Sequence, residues 1–195
     1  MTKAKRKRYR PGITEKRLRN KKFRKTEDAI LEAILKEKDY MGLGAMAKEV
    51  GVARSTVYYH HRTVRAIVPD YKAYILMKYR RMIRKVLRNR RVRMRMVYLN
   101  MLTFMVINRR AFMIFDRVGD KSVMVVMIDE LRRKVETTAR LPRTSGKAFV
   151  VFRGEVLAIL EKWSENAYDE AEIGEVLSDL SYLTETARTR LKGVR

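Results

Sequence analysis

The fold is decided by residues 43–67, LGAMAKEVGVARSTVYYHHRTVRAI. In the first half of this stretch, apolar side chains recur at the i, i+3, i+4 and i+7 spacing of one helix face: Leu43, Met46, Ala47 and Val50. Gly51 follows at once, where a helix that ends in the left-handed conformation favours a residue without a Cβ atom. A second short helix is predicted from Arg54 to about His61. The stretch therefore predicts two short helices joined by a tight turn.

The outward face of the second predicted helix carries side chains that can all donate a hydrogen bond, and none is acidic: Arg54, Ser55, Thr56, Tyr58, Tyr59 and His60. Helices that lie in a major groove use such groups on phosphates and base edges. Three consecutive polar-tipped residues on a short helix cannot all be buried, so Tyr58, Tyr59 and His60 are not expected to be core residues together. Val57 and His61 form the inward face, and we interpret His61 as a buried, hydrogen-bonded imidazole.

This stretch resembles the DNA-binding module of the TetR family of bacterial transcription regulators. The family pattern is roughly A-G-V-S-x-x-T-[LFV]-Y-x-H-F, and residues 50–61 read V-G-V-A-R-S-T-V-Y-Y-H-H. Ala53 stands where the family usually has a capping Ser, so the second helix is expected to lose about 1 kcal/mol of capping. His61 stands where the family has a buried Phe.

The family pattern continues with K-[ST]-K, and residues 62–64 read R-T-V. Val64 thus replaces a Lys that commonly contacts phosphate, a task that Arg62 or Arg65 can take. The resemblance implies a set of DNA-binding residues that combines this segment with the outward face: Arg54, Ser55, Thr56, Tyr58, Tyr59, His60, Arg62 and Thr63.

Beyond residue 67 the resemblance is looser. One branch of TetR-like proteins has a helix that ends in a pattern like F-x-x-x-N-R-x-F-F, which is matched with imperfect spacing by Phe104, Asn108, Arg109, Phe112 and Phe115. Residues 149–163 resemble the eighth helix of that branch, which carries a Trp near its end. The resemblance implies an all-α fold, in which a three-helix helix-turn-helix DNA-binding domain precedes a helical ligand-binding and dimerisation bundle.

Charge and composition suggest three segments. Of the formal net charge of +24 on 195 residues, half lies in residues 1–25, which hold 13 Lys or Arg and one Glu. We expect a disordered basic arm there that contacts DNA, with a solubilising tail as the alternative. Thr26 is predicted to cap the first helix. Residues 26–68 would form the DNA-binding domain and residues 69–195 the effector-binding and dimerisation domain.

Several local features have two interpretations. Pro69 predicts a kink or a restart of the helix near residues 68–70. Residues 78–95 hold ten basic and no acidic side chains; we expect a solvated helix surface, with a second polyanion contact or pairing with the acidic C-terminal helix as alternatives. Residues 123–128 are prone to form a strand, but the helical sequence that follows them favours a buried helix.

The sequence offers few groups for catalysis or metal binding. It has no Cys, and its two His residues, 60 and 61, are adjacent rather than at the i, i+4 spacing of a helical metal site. No Gly-rich phosphate loop or Ser/His/Asp set occurs, so we predict neither an enzyme nor a cofactor nor a metal site. No apolar stretch approaches the roughly 20 residues of a membrane span. The N-terminus lacks the apolar core of a secretory signal, and we expect a cytoplasmic protein with no membrane partner.

Nine of the twelve Met residues lie between Met77 and Met127. Most of them are expected to fill the core, yet Met also lines adaptable pockets. Because TetR-like proteins hold a small molecule inside this bundle, the resemblance implies a pocket for a small apolar or amphipathic effector. The candidate lining residues are Met101, Phe104, Met105, Phe112, Met124 and Met127.

The segment 149–163 is apolar on too many sides for a surface helix, and the last helix adds an apolar stripe of its own. A monomer would then expose a large patch, so we predict a homodimer with a four-helix interface. The predicted interface residues are Phe152, Val156, Leu160, Trp163, Val176, Leu177 and Leu180.

Together these features predict a DNA-binding transcription regulator that acts as a homodimer. The family is mostly made of repressors, so a ligand-responsive repressor is the default. The effector would shift the population toward a bundle in which the two DNA-reading helices no longer match the half-site spacing. Two alternatives stay open: an architectural, nucleoid-associated DNA binder without an effector, and a co-regulator that binds another protein.

Overall fold

The computed structural model describes residues 20–36, 42–61, 66–89, 92–139 and 146–192. These segments are helical and contain no strand, so the prediction of an all-α fold is confirmed. The α-helices described are α1 (Lys21–Lys36), α2 (Leu43–Val50), α3 (Arg54–His60), α4 (Ile67–Val86), α5 (Met94–Ile107), α6 (Arg109–Arg117), α7 (Ser122–Ala139), α8 (Gly146–Glu165) and α9 (Ile173–Lys192). A short 3-10 helix, Glu170–Glu172, precedes α9.

The chain divides into two compact units, residues 1–74 and residues 75–195. The division falls inside α4, a few residues later than the boundary expected after residue 68. The first unit contains α1, α2, α3 and the start of α4. The second contains the rest of α4 and the helices from α5 to α9.

In the first unit, α1 begins earlier than predicted. Its first residue is Lys21 rather than one after Thr26, because Asn20 acts as the cap. The Asn20 Oδ1 atom accepts hydrogen bonds from the backbone N–H groups of Lys22, at 3.0 Å, and Phe23, at 3.2 Å. The Phe23 side chain is buried and anchors this extra turn. The predicted disordered arm is therefore wrong for residues 20–25, while residues 1–19 lie outside the described part.

The α2–turn–α3 segment lies where the sequence predicts it. Gly51 ends α2 in the left-handed conformation with φ at 70°, which favours a residue without a Cβ atom. Ala53 precedes α3 and provides no side-chain cap, as its replacement of a Ser implies. α2 packs against both α1 and α3. The buried apolar side chains of these helices and of the start of α4 are Phe23, Ile30, Leu31, Ala33, Ile34, Met46, Ala47, Val57, Ile67, Val68 and Tyr71.

Helix α4 begins at Ile67, so Pro69 lies in its first turn. A Pro is tolerated there because the first N–H groups of a helix have no partner within it. This early position makes the expected kink unnecessary. Residues 62–65, which include the predicted phosphate contacts Arg62 and Thr63, lie outside the described residues.

In the second unit, α9 packs against α5 and α8, and α7 packs against α8. Residues 123–128, which were prone to form a strand, lie in α7 with Val123, Met124, Met127 and Ile128 buried, so the prediction of a buried helix is confirmed. Helix α6 follows α5 after Asn108, whose side-chain amide donates to the backbone carbonyl of Phe104 at 2.6 Å.

The corner between α8 and α9 is fixed by two aromatic side chains. The Trp163 Nε1–H group donates to the backbone carbonyl of Asp169 at 2.9 Å. The Tyr168 side chain is fully buried, and its backbone lies in the left-handed region with φ at 56°. Its hydroxyl donates to Asp116 of α6 at 2.5 Å. The two rings meet edge to face with centroids 5.3 Å apart. Trp163 is thus a structural residue of the single chain.

The predicted dimer interface needs correction. Six of its seven residues are buried within the single chain: Val156, Leu160, Trp163, Val176, Leu177 and Leu180. They are core residues because α8 and α9 pack against each other, so they form no exposed patch for a second copy. Phe152 is half-buried. The large apolar side chains exposed on these helices are instead Val150, Val151 and Tyr182.

The six candidate effector-pocket residues are also buried. Phe104 and Phe112 meet edge to face with centroids 6.5 Å apart, and Phe112 packs on Phe115 at 5.9 Å. This packing agrees with the expectation that the Met-rich segment mostly fills the core. An effector site among these residues stays a prediction.

Candidate nucleic-acid interface

The exposed surface of α3 is formed by hydrogen-bond donors and aromatic rings. Arg54 and Ser55 are exposed, and Tyr58 and Tyr59 expose 57% and 62% of their surface. Thr56 is half-buried. The unit therefore presents four of the predicted DNA-binding residues to solvent. Such large exposed rings on a helix of seven residues are unusual for a surface that meets only water.

His60 does not belong to this surface, and its prediction as an outward residue is wrong. Its side chain is only 4% exposed. The Nδ1–H group donates to Glu27 Oε1 at 2.5 Å, and the ring stacks on Phe23 with centroids 3.9 Å apart. α1 supplies both partners, so His60 turns toward α1 instead of toward solvent.

His61 is buried and hydrogen-bonded, as predicted. Its ring lies between two acidic side chains: the Nε2 atom is 3.2 Å from Glu27 Oε2, and the Nδ1 atom is 3.0 Å from Asp70 Oδ2. Asp70 lies in the first turn of α4 and is itself buried. The position that holds a Phe in the TetR pattern is thus occupied here by a polar link between helices.

Glu27 is the centre of this buried cluster. Besides the two imidazoles, its Oε2 atom accepts a hydrogen bond from the Tyr71 hydroxyl at 2.6 Å. Burial by itself raises the pKa of Glu27, but the hydrogen bonds from His60 and His61 and the charge of His61 outweigh it and lower the pKa to about 2. Glu27 is therefore ionised at neutral pH. The pKa of the Tyr71 phenol changes in the opposite direction: burial and the negative charge of Glu27 both raise it.

Sequence reasoning missed Glu27, which it assigned to the first turn of a helix as a partner of the helix dipole. A signal was present, because Glu27 shares the i, i+3, i+4 and i+7 register with Ile30, Leu31 and Ile34. An acidic residue on an apolar helix face needs a buried partner. The only two histidines of the chain were the available candidates.

The buried rings also support the exposed Tyr59. Phe23 meets the Tyr59 ring edge to face with centroids 6.3 Å apart, and His60 meets it at 5.9 Å. These contacts restrict the rotamers of Tyr59 while most of its surface stays in solvent. A side chain held in this way loses less conformational entropy when it binds a partner.

Helix α3 itself contains no Asp or Glu. The buried Glu27 and Asp70 side chains contact the two histidines. Exposed basic side chains lie on neighbouring elements, among them Lys48 of α2. The surface of α3 therefore suits an anionic partner that offers hydrogen-bond acceptors.

Other site classes find little support in the described segments. No group of three or more histidine or acidic side chains there is arranged to hold a metal ion. None of the helices in the described part is long and apolar enough to span a bilayer. In the second unit, basic side chains of residues 80–88 are exposed along α4 and the turn after it, as expected for a solvated helix surface.

A scan against protein-family models finds no match for this chain, and a search of curated proteins finds none either. The resemblance to TetR-like regulators therefore depends on the residues quoted above, and mainly on the stretch 43–67.

Proposed function

We propose that the chain is a DNA-binding transcription regulator that reads base sequence with α3. The observation that carries this proposal is the exposed face of α3, where Arg54, Ser55, Tyr58 and Tyr59 lie on one short helix that itself contains no acidic residue. A guanidinium can donate two hydrogen bonds to the O6 and N7 atoms of guanine. Hydroxyl groups can donate to phosphates or base edges, and tyrosine rings can contact thymine methyl groups.

The charge of the chain supports a nucleic-acid partner. A formal net charge of +24 on 195 residues favours a polyanion, and each phosphate that a Lys or Arg neutralises releases counterions. Charge alone also supports the second candidate, an architectural binder without sequence preference. The exposed tyrosines and the buried support of Tyr59 favour sequence reading, because non-specific binding to a phosphate backbone needs neither.

Regulation by a small effector is the finer form of the proposal. The hydroxyl of Tyr79 is fully buried in the second unit and has no hydrogen-bond partner among the described residues. Its ring packs on Phe104, one of the candidate pocket residues, with centroids 5.6 Å apart. A buried hydroxyl without a partner costs free energy. An apolar effector with one hydrogen-bond acceptor would supply that partner.

A homodimer is also part of the proposal, with the exposed Val150, Val151 and Tyr182 as its candidate contacts. Two copies would read two half-sites about one helical turn of DNA apart, so the preferred sequence would be palindromic. Repression would follow from occupancy of such an operator.

Selection from a pool of randomised DNA duplexes tests the proposal. The purified full chain should enrich a short palindromic motif over several rounds. The Arg54→Ala variant should enrich a different or degenerate motif, whereas Lys48→Ala, which removes an exposed charge from the neighbouring helix, should enrich the same motif as the wild type. Recovery of random sequence by the wild type would reject sequence reading and favour the architectural binder.

A further inference from the structure

The ring of His61 contacts an acidic oxygen at each of its two nitrogens. Glu27 Oε2 lies 3.2 Å from Nε2, and Asp70 Oδ2 lies 3.0 Å from Nδ1. All three side chains are buried, with at most 4% of their surface exposed. The contacts therefore form in a place where water does not separate the groups.

The number of protons in this array follows from its donors and acceptors. A neutral imidazole has one N–H donor and one acceptor nitrogen, and an ionised carboxylate can only accept. A neutral His61 between two carboxylates would thus place one nitrogen lone pair against an oxygen lone pair. Glu27 already accepts hydrogen bonds from His60 and Tyr71, which stabilises it as an anion. The array needs a second proton, either on His61 or shared between His61 and Asp70.

We propose that Glu27, His61 and Asp70 hold one proton more than a neutral imidazole supplies, and that this proton positions α3. The three residues lie in α1, directly after α3 and in α4. The backbone N–H of His61 donates to the carbonyl of Val57 at 2.8 Å, so a movement of His61 pulls on the last turn of α3, where Tyr58 and Tyr59 lie. The effect on DNA binding depends on the proposed function, whereas the proton itself does not.

The groups around the array define its pH response. Glu27 and the nearby Asp28 come from α1, His60 comes from α3, and Asp70, Tyr71 and Tyr74 come from α4. The phenol of Tyr71 remains a hydrogen-bond donor between pH 7 and pH 9 because burial raises its pKa. The extra proton is therefore the one whose loss disrupts the array as the pH rises.

The sign of the pH dependence is fixed by this proton. A free imidazole, as in the unfolded chain, releases its proton at about pH 6.5. Because the folded array keeps its second proton, the folded chain above that pH binds one proton more than the unfolded chain. Stability must then fall as the pH rises. The unfolding equilibrium constant should increase by up to about tenfold per pH unit between about pH 7 and 9.

The Asp70→Asn variant tests the proposal. Its amide can donate to His61 Nδ1 while the Nε2–H group donates to Glu27, so a neutral imidazole is sufficient and the increase of the unfolding constant with pH should disappear. Tyr71→Phe is the matched control, because it removes a hydrogen bond to Glu27 without changing the demand for the proton, and it should keep the wild-type pH dependence. If Asp70→Asn does not fold, Glu27→Gln serves instead, since its amide can donate to Nε2.

The proton can also be observed directly. In ¹⁵N-labelled wild-type protein at pH 8, both ring nitrogens of His61 should have chemical shifts away from the value of an unprotonated nitrogen. A fully unprotonated ring nitrogen, or a wild-type pH dependence in Asp70→Asn, would overturn the proposal. These measurements need no DNA, so they separate the proton from the proposed function. If a selected operator is bound equally well at pH 7 and pH 9, the role of the proton in positioning α3 is refuted. The chemical shifts of the His61 ring nitrogens then still decide whether the extra proton is present.

Discussion

Replacing Glu27 with Ala should reduce the stability of the chain strongly. The substitution removes the acceptor of three buried hydrogen bonds, from His60 at 2.5 Å, His61 at 3.2 Å and Tyr71 at 2.6 Å. It leaves three donors without a partner in a region where Glu27 was only 1% exposed. Removal of one partner from a buried charged pair costs about 3–5 kcal/mol. The folded-state pKa of Glu27, about 2 against an ordinary 4.5, corresponds to a roughly similar free energy.

Urea unfolding followed by far-UV circular dichroism measures this loss. The free energy of unfolding of Glu27→Ala should be lower than that of the wild type by about 3–5 kcal/mol. Asp28→Ala is the matched control, because Asp28 is the next residue of α1, carries the same charge and is exposed. It should change stability by no more than about 0.5 kcal/mol.

Equal effects of the two substitutions would refute this reasoning. A loss of less than about 1 kcal/mol for Glu27→Ala would mean that the imidazoles find other partners at little cost. The buried cluster would then not hold α1, α3 and α4 together.

Three further predictions concern the pH dependence of stability, the buried Tyr79 hydroxyl and the N-terminal segment. Because the folded-state pKa of Glu27 is lowered, the stability that its ionised form contributes is present above about pH 4.5 and is lost as the pH falls toward 2. Urea unfolding between pH 5 and 3 should show this loss of stability in the wild type and much less of it in Glu27→Gln. Tyr79→Phe removes a buried hydroxyl without a partner among the described residues, so without ligand the melting temperature should stay equal or rise; a clear decrease would indicate a hidden hydrogen bond. Deleting residues 1–19 should weaken binding to operator and random DNA alike and flatten the salt dependence in a filter-binding series, and a loss of sequence preference would contradict this.

The local pattern of residues 43–67 was sufficient to predict α2, the turn and α3. The apolar spacing and Gly51 decide these elements within one stretch of chain, and both are visible without tertiary information. The direction of His60 could not be predicted in the same way. It depends on Glu27 and Phe23, which lie more than thirty residues earlier in the sequence. Phe23 was itself hidden in a basic segment whose composition suggested disorder.

The interface residues were misassigned for a related reason, while the homodimer itself stays a prediction. The periodicity of residues 149–163 indicates that α8 is apolar on several sides, but it does not say which copy of the chain covers them. In the structure α7 and α9 of the same chain do so, and Trp163 is buried by its own corner. Only Val150, Val151 and Tyr182 remain as large exposed apolar side chains of α8 and α9 among the described residues.

The central claim, that α3 reads base sequence, is tested most directly by the ratio of affinities for a selected duplex and a scrambled one. The wild type should bind the selected duplex at least a thousandfold more tightly, on the order of specific regulators at moderate salt. Arg54→Ala should reduce the difference in binding free energy between the two duplexes by about 1–3 kcal/mol. Lys48→Ala should lower both affinities together and keep their ratio. If Arg54→Ala and Lys48→Ala leave the ratio equally unchanged, α3 does not read the sequence and the account is contradicted.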